Sequence, residues 1–122
     1  MPHEIDSTAA GIVGEALRRV SYDEDAIERL LGEDSWSTAI DDAESYERRL
    51  PRTAVAAAIR LFFLERPVSR LEAERGLGAL AVDALERTML ARIDAGTVEP
   101  LARIAPVGPI LLASDRLSTA AA

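Results

Sequence analysis

Chemistry in a protein needs nucleophiles, acid–base groups or metal ligands at workable spacing, and this sequence supplies few of them. His3 is the only histidine and there is no cysteine, so thiolate nucleophiles, disulfides and His- or Cys-rich metal sites are excluded. Carboxylates come in groups: Asp23 to Asp25, Asp41 with Asp42, and Glu72 with Glu74. General acid–base work needs two carboxyls in unlike, partly buried surroundings, whereas these fall at outward-facing helix positions and read as solvated surface. Gly76-Leu77-Gly78 has the outline of a phosphate loop, but no strand precedes it and no lysine follows, so it reads as a helix-ending turn. The expectation is therefore no catalytic, cofactor-binding or metal-binding residue. The remaining candidates are aromatic. Tyr22, Trp36 and Tyr46 could line an apolar groove in the N-terminal half and contact a substrate or partner; ordinary core packing is the alternative.

The chain has 122 residues, 48% of them hydrophobic, which suits one compact domain or a small domain with a helical extension. Its aromatics are Tyr22, Trp36, Tyr46, Phe62 and Phe63, so the core must be built mainly from Leu, Ile, Val and Ala. All 14 basic side chains are arginine and the formal charge is −7. Residues 1–50 hold 13 acids and 5 arginines, giving −8, and residues 51–122 hold 8 acids and 9 arginines, giving +1. Nucleic acid meets repulsion from the first half and no attraction from the second, so it is not an expected partner. No apolar run reaches the roughly 18–20 residues that span a bilayer. The N-terminus lacks a signal-peptide pattern, and a cytoplasmic location is expected.

The pattern divides the chain at Leu50-Pro51 into an N-terminal helical segment (1–50), a second unit (51–116) and a loose tail (117–122). Asp6 or Ser7 caps a first helix whose inner face is Ala9, Ile12, Val13, Ala16, Leu17 and Val20. A short second helix follows Asp23, buries Ile27, Leu30 and Leu31, and ends at Gly32. A third is suggested by Trp36, Ala39, Ile40 and Ala43, running toward Arg48. Beyond Pro51, a stripe of Val55, Ala58, Ile59, Phe62 and Phe63 marks a helix that Arg66-Pro67 stops. Ser69-Arg70-Leu71-Glu72 reads as a capping box, and the helix after Gly78 takes Leu80, Val82, Leu85 and Met89 as its inner face. Asp94-Ala95-Gly96 breaks that pattern. Thr97–Ala105 and Ile110–Ser114 then read as a hairpin around Pro106-Val107-Gly108-Pro109, with Pro100 confined to an edge or bulge and Pro67-Val68 adding a short third strand. The expected class is mainly α: a three-helix segment plus a winged-helix-like domain with a C-terminal β-hairpin. A groove-reading helix near 80–91 would offer Asp83, Glu86, Arg87 and Thr88, and its wing Glu99 and Arg103; the two carboxylates oppose phosphate.

The second half also resembles the N-terminal domain that precedes the catalytic domain in actinobacterial class I methyltransferases of the HemK-like or "methyltransferase small" kind. The resemblance lies in Ala56-Ala57-Ala58-Ile59-Arg60-Leu61-Phe62-Phe63-Leu64, in Arg66-Pro67-Val68, in the Leu85–Leu90 helix and above all in the stretch from Leu101 to Asp115. It covers about residues 53–116. It implies a non-catalytic domain of an S-adenosylmethionine-dependent enzyme, serving substrate capture, interdomain docking or dimerisation. The implied partners are a catalytic domain in cis and a second copy of the chain. The family's glycine-rich cofactor loop and its Asn-Pro-Pro-Tyr/Phe segment are not in this sequence, so no cofactor is expected on this chain and no family residue carries over. The resemblance also implies that the chain is the N-terminal portion of a longer enzyme. Two other functions fit the elements, a stand-alone winged-helix regulator and a protein-interaction module.

Overall fold

A computed structural model describes residues 7–32 and 42–116 of the chain. The helices are α1 (Ser7–Arg19), α2 (Glu24–Leu31), α3 (Ala43–Arg49), α4 (Ala54–Phe62), α5 (Arg70–Leu77) and α6 (Ala79–Arg87). The strands are β1 (Val68–Ser69), β2 (Ala91–Asp94), β3 (Thr97–Pro100), β4 (Arg103–Val107) and β5 (Ile110–Ser114). One antiparallel sheet has the order β1-β3-β2, and β4 with β5 forms a separate two-stranded sheet.

The core is organised around α4. Thr53 caps it by accepting a hydrogen bond from the Ala56 N–H, satisfying one of the orphan donors of the first turn. A single stripe from Val55 to Phe63 was expected, yet Ala56, Ala57 and Ala58 are all buried beside Ile59, Leu61 and Phe62. Small alanines let neighbours approach on several sides, so α4 is enclosed rather than amphipathic. Gly76 has the same use. A Cβ there would come within 3.2 Å of Ala54 Cα, so α5 packs so closely against the start of α4 that an alanine would push the α4 backbone back by a few tenths of an ångström. α1 lays the expected face (Ala9, Val13, Ala16, Leu17) against α6, and one hydrophobic cluster runs from Ala9 to Ile104.

The expected mainly-α class is overturned: the described residues are 53% helix and 20% strand, an α+β arrangement with two small antiparallel sheets. The difference arises after α6. That helix stops at Arg87, with Met89 in the left-handed region (φ 62°), and Ala91–Asp94 is a strand. Asp94 to Gly96, expected only as a break, belongs to the turn joining β2 to β3: Asp94 pairs with Thr97, and Ala95 and Gly96 both have positive φ. The expected strand Thr97–Ala105 is two strands in different sheets, separated at Leu101-Ala102. Leu80 and Met89, expected inside, are 73% and 60% exposed, because Ala81, Val82, Ala84 and Leu85 form the buried face. β1 does form at Val68-Ser69, pairing with β3. Pro100 pairs only with Ala91 on β2, at the end of β3 that β1 does not reach. The third helix begins at Ala43; Trp36, Ala39 and Ile40 lie outside the described residues.

Two glycines test this packing. Gly11 on α1 has open space around a Cβ, so Gly11→Ala should stabilise by about 0.5–1 kcal/mol through helix propensity. Gly76→Ala should instead destabilise by about 1 kcal/mol, because forcing α5 away from α4 outweighs the same propensity gain. Urea unfolding of both variants checks the opposite signs; equal stabilisation would refute the close approach.

Candidate functional site

Two features stand out on the surface, an apolar hairpin and an arginine-rich hollow. The hairpin β4–β5 turns through Gly108-Pro109, and Gly108 adopts φ +58°. Opposed residues in an antiparallel pair share a face. Ile104 and Pro106 point inward and are buried, with Leu111 partly buried opposite Pro106. The other face carries Val107, Ile110 and Leu112, which are 53%, 60% and 55% exposed, with Ala105 between them. Beyond β5 no further strand pairs with this sheet among the described residues.

Three contacts fasten the hairpin to the helices. The Tyr22 hydroxyl donates to the Ile104 carbonyl, and the Gly108 N–H donates to Glu24 Oε1 at 2.7 Å. The third is ionic. Glu65 has a side chain with no solvent exposure and sits just past the end of α4 at φ 57°. Its carboxylate lies 3.6 Å from Arg103 Nη1 on β4 and 3.3 Å from Arg116 Nε beyond β5. Arg103 also donates to the Phe63 carbonyl at 2.7 Å, and its guanidinium lies over the Phe63 ring, 4.6 Å from the centroid.

The aromatic candidates are thereby placed. Tyr22 is 2% and Tyr46 7% exposed, so both are packed inside; Arg49 lies 4.6 Å over the Tyr46 ring. They do not meet in a common groove. Tyr22 borders a hollow of about 370 Å³ between the start of α2 and the hairpin turn. Trp36 lies outside the described residues. Burial pushes the Tyr22 hydroxyl well above its ordinary value, opposed by the nearby Arg103 charge. The groove-reading set is not presented together either. Thr88 is buried, its hydroxyl donating toward the Ala84 and Leu85 carbonyls, Asp83 pairs with Arg87, and Glu99 with Arg92. Arg103, expected on a wing, is the buried anchor just described, because β4 belongs to the second sheet.

The hollow was not foreseen. It has a volume of about 610 Å³ between α3, the links on either side of α4, and the start of α5. Arg60 forms its base: Nη1 donates to Glu72 at 3.2 Å and Nη2 to the Leu50 and Pro51 carbonyls, while Glu47 lies 3.9 Å from Nε. At the rim, Arg52 bonds Glu72, Arg66 bonds Glu47 and Arg48 bonds Glu44. Glu72 was expected to complete a capping box. Only the serine half forms: Ser69 Oγ accepts from the Glu72 N–H, while the Glu72 carboxylate turns to the two arginines. Nothing in the spacing of Glu47, Arg60 and Glu72 signals that they meet. Among the described residues no group of three or more His, Asp or Glu side chains could hold a metal ion, and no helix is long and apolar enough to cross a membrane.

Tyr22 gives a pH test. Its folded value is raised above the unfolded value near 10, so the stability it contributes is intact below about pH 10 and lost as pH rises above that. Tyr22→Phe should cost about 1–2 kcal/mol at neutral pH, by orphaning the Ile104 carbonyl, and should flatten the alkaline loss. Denaturant midpoints at pH 8 and pH 11 decide this; an unchanged slope would exclude a buried Tyr22 hydroxyl.

No curated protein and no solved structure matches the chain. A family model does match over residues 19–101, which is more than half of the chain and runs from the end of α1 through β3. The chain therefore belongs to the family described as a domain of unknown function (DUF7059).

Proposed function

We propose that this chain is the non-catalytic accessory domain of an S-adenosylmethionine-dependent methyltransferase, and that the catalytic domain docks in cis on the outer face of β4–β5. The observation that carries the reading is the two-sidedness of the hairpin. Tyr22 and Glu24 hold its backbone and Glu65 holds Arg103 at its open end, while Val107, Ile110 and Leu112 are presented to solvent on the face away from Ile104 and Pro106. Neighbouring apolar side chains on a rigid strand pair are the usual marks of an interface rather than of a free surface. This hairpin is also the core of the Leu101–Asp115 stretch through which the chain resembles the N-terminal domains of HemK-like enzymes. The occupant is thus a domain reached through the strand that ends at Ser114, and the exposed part of that face, Val107, Ile110 and Leu112, offers it apolar contact; Arg103, on the same face by register, is taken up by Glu65.

The preceding unit supports an accessory role. Residues 54–100 run helix, strand, helix, helix, strand, strand, with sheet order β1-β3-β2, and this order supports a winged-helix reading. We read it as a winged helix turned to protein or substrate contact, since the exposed face of α6 carries Asp83 and Glu86. Dimerisation is the second reading, favoured by the unpaired outer edge of β5, an uncharged segment Ile110-Leu111-Leu112-Ala113-Ser114.

The test is to express the chain separately from a methyltransferase catalytic domain encoded in the same reading frame and to titrate one into the other. A stoichiometric complex is expected, weakened about tenfold or more by Ile110→Asp or Leu112→Asp, with chain stability changed by less than about 0.5 kcal/mol. A reading frame without such a domain, or binding indifferent to both substitutions, contradicts the proposal. Light scattering on the chain alone separates the dimer reading.

A further inference from the structure

The arginine hollow between α3 and α5 is independent of the hairpin, and its electrostatics run against those of the whole chain. The chain carries −7, yet this hollow is lined by four arginines (48, 52, 60 and 66) against three glutamates (44, 47 and 72). The arginines come from α3, the α3–α4 link, α4 and the α4–β1 link, so the fold, not one helix face, brings them together. Arg60 is engaged through both terminal nitrogens and has a side chain only 11% exposed; it is part of the frame. The rim arginines differ. Each is tied to a carboxylate by a single nitrogen: Arg52 through Nη1, Arg66 through Nε and Arg48 through Nη2. Arg66 keeps both Nη groups, the fork that engages oxyanions in pairs, without a partner among the described residues. A carboxylate that holds an arginine by its Nε fixes the direction of that fork.

We propose that this hollow binds a phosphate group, with Arg66 and Arg52 gripping its oxygens and Glu47 and Glu72 acting as positioning residues for those two guanidiniums. Phosphate fits better than carboxylate because its tetrahedral oxygens can be shared among guanidiniums approaching from different segments. The space is also larger than one phosphate needs. A second hollow of about 320 Å³ shares Arg52, Ser69 and Glu72 as a common wall, and so leaves room for the remainder of a phosphorylated molecule. Ser69 accepts from the Glu72 N–H, and its own hydroxyl proton remains to be donated at that wall. The site does not depend on the docking proposed for the hairpin.

Titration of the full chain with pyrophosphate at low ionic strength, followed by amide NMR, tests this directly. Saturable shifts confined to residues 44–52 and 66–72 are expected, weakening with added chloride. Arg66→Ala should weaken binding about tenfold or more, and Arg87→Ala on α6 should leave it unchanged. Glu47→Gln gives the sharper readout. If Glu47 and Arg66 are only a surface ion pair, the substitution leaves binding as it was; if they frame an anion site, the glutamine oxygen still accepts from Arg66 Nε and keeps the fork aimed while the competing charge is gone, so binding tightens. That variant also carries the test should Arg66→Ala fail to fold. A short single-stranded RNA run beside pyrophosphate separates the sources: tighter RNA binding at this site assigns a phosphodiester, and pyrophosphate alone a small phosphorylated molecule. Absence of saturation, shifts scattered over arginines elsewhere, or indifference to both Arg66→Ala and Glu47→Gln would overturn the proposal.

Discussion

Glu65 places a carboxylate where water does not reach, and the architecture around it follows from that demand. A buried charge costs several kcal/mol unless it is paired, and loss of one partner typically costs about 3–5 kcal/mol. The partners here are Arg103 on β4 and Arg116 beyond β5, so neutralising one carboxylate draws both ends of the hairpin to the end of α4. The backbone makes the same point. Glu65 adopts a left-handed conformation that glycine or asparagine would hold with less strain. A long acidic side chain at such a position makes sense only if its charge is needed there. Arg103 then reaches the Phe63 carbonyl and ring, and its charge faces the buried Tyr22, which in turn holds Ile104. Helical body and hairpin are thereby one packed unit with one polar knot between them.

The hairpin has unequal faces, and Arg103 shares the register of the outer one, reaching Glu65 at the hairpin's open end. With Ile104 and Pro106 pinned inward, strand alternation sends Val107, Ile110 and Leu112 outward, and no described element covers them. A second polar network, centred on Arg60, fixes α3 and the links around α4 in the same manner. The two networks differ in what they leave over. The Glu65 cluster is closed, whereas the Arg60 network ends at a rim of arginines with donors still open. Apolar contact and anion recognition are thus assigned to separate surfaces.

Much of the helical half was legible. The faces of α1 and α2, the Ser69 cap and the stop at Gly32 follow from periodicity and side-chain chemistry that act within a few residues. What failed depended on distant partners. The stretch near 80–91 reads as one helix because Leu80, Val82, Leu85 and Met89 recur at helical spacing, yet the left-handed turn at Met89 and the pairing of Ala91–Asp94 with β3 take over. The break at Leu101-Ala102 has no local signal, since both flanking segments are β-prone. Arg103 looked like a wing residue because nothing in its own neighbourhood reveals the carboxylate at Glu65, far back in the chain. The arginine hollow was missed for the same reason: its ion pairs join residues up to 20 positions apart.

Whether the hairpin belongs to the same cooperative unit as the helices can be read from native-state hydrogen exchange. The amides shared between β4 and β5 should exchange with an opening free energy matching that of the α4 amides, because the Glu65 cluster and Tyr22 release only when the body unfolds. Exchange of the hairpin amides through a local opening several kcal/mol below that of α4 would show that the buried ion cluster does not hold the two together.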